Sequence, residues 1–480
     1  MKHTLRAVIV SGAVTALVGG LGLAPAFTPA QAASRAGPPA VLHVGQIAQQ
    51  NVAPRGNCEP DTLVEPDVAV SPFNSNIQIA VAHDCRFANG GAVDIAYAWT
   101  HDGGAHWHNA AVPGLTRAVG GVWARASDPV VAFGPDGSVY ISSLVIDLTC
   151  PGGVAVSRSV NGGETFGKPV LAHVSKVCTF SDDKNWLVTD TQQTSPFYGR
   201  IYQFWTEFLA NGASPQVVRW SDNNGRTWSA THFLGPKTEN SQDSQPFVQP
   251  NGAITDVYFV AGRALGGGPA GHGAAGNGER QGFILRQGSG ISLIARTSLD
   301  GGATWSKPSL VAKNIGGGPA GIRCCLPLMA GDNATGHMYA VWNANSQGDP
   351  VLLSSSGNGQ TWSRPVQVTS SHPGVQYLNA AVAAAGGRVY VAYGNMSKPN
   401  IVQQELTWSS NGGKTFASPM ALGPASNLRY AAVAGGKFPG DYTGLSATPT
   451  RVTSAWCLSS RPPKPTAAYH QVLYAAVLRP

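Results

Sequence analysis

Acidic residues are scarce in this chain, 25 Asp and Glu among 480 residues. Several of them nevertheless stand just ahead of stretches that read as strand, turn, strand. Glu65 and Asp67 open EPDVAVSP (65–72), Asp128 opens SDPVVAFGPDGSVYISSL (127–144), and Asp182, Asp183 and Lys184 open the DKNWLVTD run (183–190). Asp243 precedes SQPFVQPNGAITDVYFV (244–260), Arg323 precedes LPLMAGDNATGHMYAVW (326–342), and Asp441 and Tyr442 open GDYTGLSATPTRVTSAW (440–456). Loops between second and third strands add His83, Asp84, Arg86, Asp147, Trp205 and Glu207. If such hairpins stand side by side, these loops share one rim. Like charges confined there raise a carboxyl pKa and create a general acid, or gather around a divalent cation. Calcium is the ion that such oxygen donors could hold, although the sequence requires no cofactor. The competing reading is structural, with each carboxylate capping loop amides or pairing with an arginine of the next hairpin.

The elements that would place these side chains emerge from internal repeats. Six segments align without gaps: THDGGAHW (100–107), SVNGGETF (159–166), SDNNGRTW (221–228), SLDGGATW (298–305), SSGNGQTW (355–362) and SSNGGKTF (409–416). Their fifth-position glycines lie 54 to 77 residues apart, the length of a four-stranded sheet with loops. Ser or Thr at the first position and Asp or Asn at the third can bond turn amides, glycine supplies a positive φ, and Trp or Phe closes onto an apolar layer. Gly357 occupies the acidic position in one copy, and His106 replaces threonine in another. LNAAVAAAGGRVYVAY (378–393) completes seven hairpins for six turns. The last hairpin is followed by one further strand, His470–Leu478, so the missing outer strand is expected from Val41–Ala48. That exchange closes the ring and removes two sheet edges. The expectation is all-β: a single closed propeller of four-stranded antiparallel blades over residues 53–480, seven blades favoured and six the alternative. Residues 33–52 carry the ring-closing strand.

S-x-D-x-G-x-T-W resembles the Asp box, or bacterial neuraminidase repeat, of the sialidase superfamily, and six copies cover residues 60 to 420. The resemblance implies that the box face is structural and the opposite face holds the pocket. It further implies an exo-glycosidase acting on terminal sialic sugars, with three arginines clamping the substrate carboxylate, a tyrosine nucleophile activated by a glutamate, and an aspartate acid/base. Carried onto this chain, the clamp is Arg125, Arg323 and Arg429, the nucleophile Tyr442 or Tyr430, its partner Glu207, and the acid Asp67 or Asp128. The aromatic-Arg-Ile-Pro sequence that introduces the first clamp arginine in sialidases has no counterpart; Arg55 in Ala53-Pro54-Arg55-Gly56 comes nearest. A non-catalytic propeller binding a carbohydrate or a protein is the alternative.

Lys2 and Arg6, an apolar run from Ala7 to Leu23 and the Ala30-Gln31-Ala32 step read as a signal peptide over residues 1–32, which points to a secreted, extracellular protein. No later stretch is long and apolar enough for a spanning helix. The net charge of +7 falls to +5 without Lys2 and Arg6, and no Lys/Arg run offers a nucleic-acid track. A glycan is the expected partner and a monomer the expected state, since a closed ring leaves no edges to satisfy. Seven cysteines in an exported chain read as disulfides, Cys58–Cys85 and Cys150–Cys178. Cys457 then pairs with Cys324 or Cys325, or those two neighbours join each other; one thiol remains. The glycine-rich stretch Ala264–Gln287 reads as a flexible loop or a lid over the pocket.

Overall fold

The computed structural model describes residues 37–48, 52–53, 58–147, 152–175, 181–262, 290–345, 348–464 and 467–480. The expected signal peptide, Arg55, the expected Cys150–Cys178 pairing and the glycine-rich stretch lie outside the described residues.

Strand after strand pairs antiparallel with its sequence neighbour, giving an all-β chain of four-stranded sheets consistent with a propeller. One sheet runs Ser181–Thr189, Ile201–Phe208, Gln216–Ser221, His232–Phe233, and the next runs Ser241–Val248, Ile254–Ala261, Ile291–Ser298, Ser309–Lys313. Two groups starting at Asp67–Val70 and Arg125–Phe133 are linked by the single Ala92–Ala126 pairing. Groups starting at Leu328–Gly331 and Gln376–Ala385 repeat the pattern. The last group is Gly444–Thr448, Arg451–Ser459, Gln471–Arg479 and, on its outer edge, Ala40–Gln46 from the other end of the chain. That pairing covers the outer edge of Gln471–Arg479 with backbone hydrogen bonds.

The first strand of each group packs against the first strand of the next, and Gly444–Thr448 packs against Asp67–Val70. Together they line one axial cavity of about 270 Å³. Sheets stack face to face, so both sides of a strand are covered. Gln78–Arg86 is buried along its whole length, its polar residues Gln78, His83, Asp84 and Arg86 included.

The repeated turns are held by their own side chains. In the second copy Ser159 Oγ accepts from Gly163 N at 3.0 Å, and Asn161 Oδ1 accepts from Thr165 N at 3.1 Å. Ser221/Asn223, Ser298/Asp300 and Ser409/Asn411 repeat both contacts. The fifth copy corrects the gapless alignment. Ser356 accepts from Gly359 N and Asn358 accepts from Thr361 N, so this turn is one residue shorter and Asn358, not Gly357, fills the acidic role.

Cys58 and Cys85 are bonded, Cys324 and Cys325 are joined to each other, and Cys457 is a buried free thiol. Among the described residues no helix is long and apolar enough to cross a membrane.

Turn glycines differ in what surrounds them. Gly163 (φ 89°) would drive a Cβ into Ile79 of the neighbouring sheet, whereas Gly225 (φ 78°) has nothing nearer than 3.9 Å. Both substitutions to alanine strain a left-handed backbone. Gly163→Ala is expected to cost about 1–3 kcal/mol more than Gly225→Ala, the usual overpacking penalty, read from urea unfolding midpoints.

Candidate functional site

Four of the first strands carry a backbone irregularity near their start. The register slips between Ser127 and Val130, Asp183 and Trp186, Gln242 and Gln245, and Leu378 and Ala381. Inside these bulges Asp128, Lys184, Asp243 and Asn379 adopt positive φ of 49°, 47°, 74° and 44°. Glu65 (55°), Cys325 (83°) and Gly440 (111°) take the same conformation just ahead of the other three first strands. A residue in the left-handed region is costly unless its surroundings fix it, and here the same strain recurs around the axis.

The bulges correct the sequence reading. Asp128, Asp182, Asp183, Lys184 and Asp243 lie inside strands rather than in entering loops, because a bulge adds residues without ending the pairing. Glu207 and Trp205 likewise belong to strand Ile201–Phe208, with Glu207 opposite Asp182.

The ring is stitched across sheets. Cys325 N donates to Asn379 Oδ1 at 2.9 Å, Asn379 Nδ2 donates to the Gly440 carbonyl at 3.0 Å, and a Cβ on Gly440 would stand 2.7 Å from Glu65 N. Glu65 Oε2 lies 3.0 Å from His83 Nε2, which also accepts the Asp128 N–H at 2.9 Å. Nε2 can accept that amide only without its own proton, so a protonated Glu65 donating to a neutral imidazole fits both contacts. Burial, then the Asp441 charge, pushes Glu65 up to about 8, and burial brings His83 down to about 4, which agrees with that assignment. Glu65, His83 and Asp128 approach one another within 4.8 Å. Their contacts are internal, and calcium prefers six to eight oxygen donors, so this trio is a poor match for it.

Cations compensate the remaining carboxylates. Lys184 Nζ lies 3.5 Å from Asp243 Oδ1 and stands 4.0 Å over the Tyr442 ring and 4.2 Å over Trp186. Arg323 holds Asp441 with both fork positions, at 3.1 and 2.7 Å. Gln242 Nε2 donates to Asp183 Oδ2 at 2.6 Å. Burial raises Asp67, Asp128 and Asp243 to about 6, and burial with the Asp128 charge raises Asp183 to about 7. Glu65, Lys184 and Asp243 are nearly inaccessible, whereas Asp183, Trp186, Arg323 and Asp441 are partly exposed.

The residues carried over from the resemblance are distributed unevenly. Arg323, Tyr442, Asp67 and Asp128 join the axial cluster. Asp67 Oδ2 accepts the Val131 N–H across the sheet boundary at 2.9 Å. Tyr442 is buried, its Oη 3.5 Å from the Pro129 carbonyl, and burial with the Glu65 charge holds its phenol neutral. Arg125 binds Asn89 Oδ1 and the Gly90 carbonyl, each at 2.7 Å, and covers Phe87. Arg429 is exposed on the turn Leu428–Tyr430, beside a half-buried Tyr430. Glu207 sits with His173 and Asp182. Arg125, Arg323 and Arg429 therefore have different surroundings, and Tyr442 has carboxylate neighbours other than Glu207. Trp186 and Gln242 are the axial residues that a search for acids, arginines and tyrosines passes over. The shared slot ahead of each first strand was the signal for Lys184.

Residues 197–437 match the BNR repeat-like domain. The chain belongs to the BNR repeat-like family. Among solved structures, this BNR repeat-like protein resembles a polysaccharide lyase, an ulvan lyase, at 12% identity over 88% of this chain and 96% of that one, with a TM-score of 0.51. A Hadza microbial sialidase is 13% identical over 83% and 73%, TM-score 0.46, and an α-L-arabinanase from Penicillium chrysogenum is 12% identical over 74% and 94%, TM-score 0.47. Identities this low speak to fold alone. No curated protein matches the chain.

Carboxyls with raised pKa values make stability fall as pH rises. For Glu65 the contribution is complete below its ordinary 4.5 and lost as pH passes about 8. The unfolding temperature is expected to decline between pH 5 and pH 9, and Glu65→Gln to make that decline shallower. Thermal unfolding of both proteins across the range checks it; equal slopes would count against the assignment.

Proposed function

We propose that this chain is an exported, seven-bladed Asp-box propeller that acts on a glycan at the rim where Asp183, Arg323 and Asp441 meet. The supporting observation is selective exposure: Asp183 and Asp441 open toward solvent while Glu65 and Asp243 are sealed beneath them. The seven left-handed residues and the closed circuit of first strands support the blade number. A part-exposed Trp186 offers a ring for sugar stacking, with Lys184 packed beneath.

Glycosidic cleavage needs one carboxyl to protonate the leaving oxygen and a second to act as base or nucleophile. Asp183, held by Gln242, takes the first role, and Asp441, engaged by Arg323, takes the second. Carbohydrate chemistry comes to this reading from the fold shared with the ulvan lyase. Sialic specificity, which the Asp-box resemblance implies, would rest on Arg323 alone, since Arg125 and Arg429 have other surroundings. A terminal sugar recognised without a three-arginine clamp is therefore favoured over a sialoside. The second reading is a non-catalytic glycan binder, favoured by the burial of Tyr442 and Glu65.

The test is turnover of fluorogenic sialoside and α-L-arabinofuranoside, and of soluble polysaccharides, by the mature protein and its Asp183→Asn and Asp441→Asn variants. Loss of about 10²–10⁴ in kcat in each variant is expected. Unchanged kcat in both variants would overturn the assignment. Glycan-array binding by a folded wild type that turns nothing over would decide for the binder.

A further inference from the structure

A second cluster lies away from the axis, at the boundary between two sheets. His173 comes from the outer strand Val170–Val174 of one sheet, and Asp182 and Glu207 face each other across the first two strands of the next. His173 Nε2 is 3.6 Å from Asp182 Oδ2 and 4.0 Å from Glu207 Oε1, and one donor atom from each residue falls within 4.8 Å of the others. Donors about 2.1 Å from a tetrahedral ion stand about 3.4 Å apart, so a small contraction brings this trio onto one cation.

The independent observation is what these groups lack. Among the described residues, neither oxygen of Asp182 and neither ring nitrogen of His173 has a hydrogen-bond partner, although the residues are only 7% and 9% exposed. The Trp205 indole N–H lies beside Asp182 without forming a well-aligned bond. A buried carboxylate with both oxygens unsatisfied is rare in folded proteins and calls for an occupant. The imidazole plane is already fixed, stacked on Trp205 with centroids 4.9 Å apart. Arg219 spends its hydrogen bonds elsewhere, on Thr231 Oγ1 and the Ala172 carbonyl. Its charge acts on His173, Asp182 and Glu207 without a hydrogen bond to any of them.

We infer that His173, Asp182 and Glu207 form a binding site for a divalent transition metal, zinc by preference, that clamps two neighbouring sheets. One imidazole and two carboxylates suit zinc better than calcium, which favours oxygen donors in larger number. Three protein ligands leave the fourth position of a tetrahedral ion for water.

The test is zinc titration of the full mature chain after chelator treatment, followed by calorimetry and by metal content after gel filtration. One zinc per chain and a higher unfolding temperature are expected. His173→Ala and Asp182→Asn should weaken binding by more than about 100-fold, beyond what losing a residue that only orients a ligand costs, while Glu65→Gln leaves it unchanged. If a variant fails to fold, cobalt(II) added to the stripped wild type keeps the test decisive, since a four-coordinate site gives visible d–d bands. Absence of stoichiometric zinc, zinc retained by both variants, loss of zinc in Glu65→Gln, or cobalt without those bands would each overturn the assignment. Calcium bound in place of zinc would overturn it as well.

Discussion

The structure depends on crowding charges around an axis without letting water separate them. First strands converge there, and each delivers a left-handed residue to the same small space. A ring of carboxylates would repel itself, so the chain interleaves other answers: Lys184 between Asp128 and Asp243, a Cys325 whose side chain is locked to Cys324, an amide at Asn379, and no side chain at Gly440. Arg323 adds the second cation from outside the ring. Burial suppresses ionisation at Glu65, Asp128 and Asp243, which share a raised pKa even where Lys184 lies close by.

That arrangement separates sealed side chains from partly exposed ones. The buried acids and His83 tie sheet to sheet, as Asp67 does through Val131 and Glu65 through His83. The partly exposed layer above them is free to meet a ligand. Turn segments on the repeats do none of this work; their Ser, Asn and Gly residues hold local geometry, and their close approach to the adjacent sheet sets the spacing of the stack.

Sequence carried the architecture further than the site. Serine, Asp or Asn and glycine at fixed offsets specify a turn by local hydrogen bonding, so the four-stranded antiparallel grouping was legible. Ala40–Gln46 could be placed beside the last strand because that group was one strand short. The fifth turn misled because a one-residue contraction keeps glycine and tryptophan in place while shifting the serine and the amide. Bulges hid the site: an inserted residue changes which way a side chain points without altering composition, so strand acids looked like loop acids. Arg125 and Arg429 were chosen by residue type, and type does not say where a guanidinium ends up. His173 was invisible because its partners come from a different sheet.

Buried positive charge at Lys184 offsets the axial carboxylates. Equilibrium unfolding of Lys184→Met against wild type, at pH 8 and pH 5, tests it most directly. Removing one partner of a buried ion pair should cost about 3–5 kcal/mol at pH 8. The loss should shrink at pH 5, where Asp128 and Asp243, raised to about 6, hold their protons. Equal stability of the two proteins at pH 8, or a deficit that does not change with pH, would show that Lys184 does not offset these carboxylates.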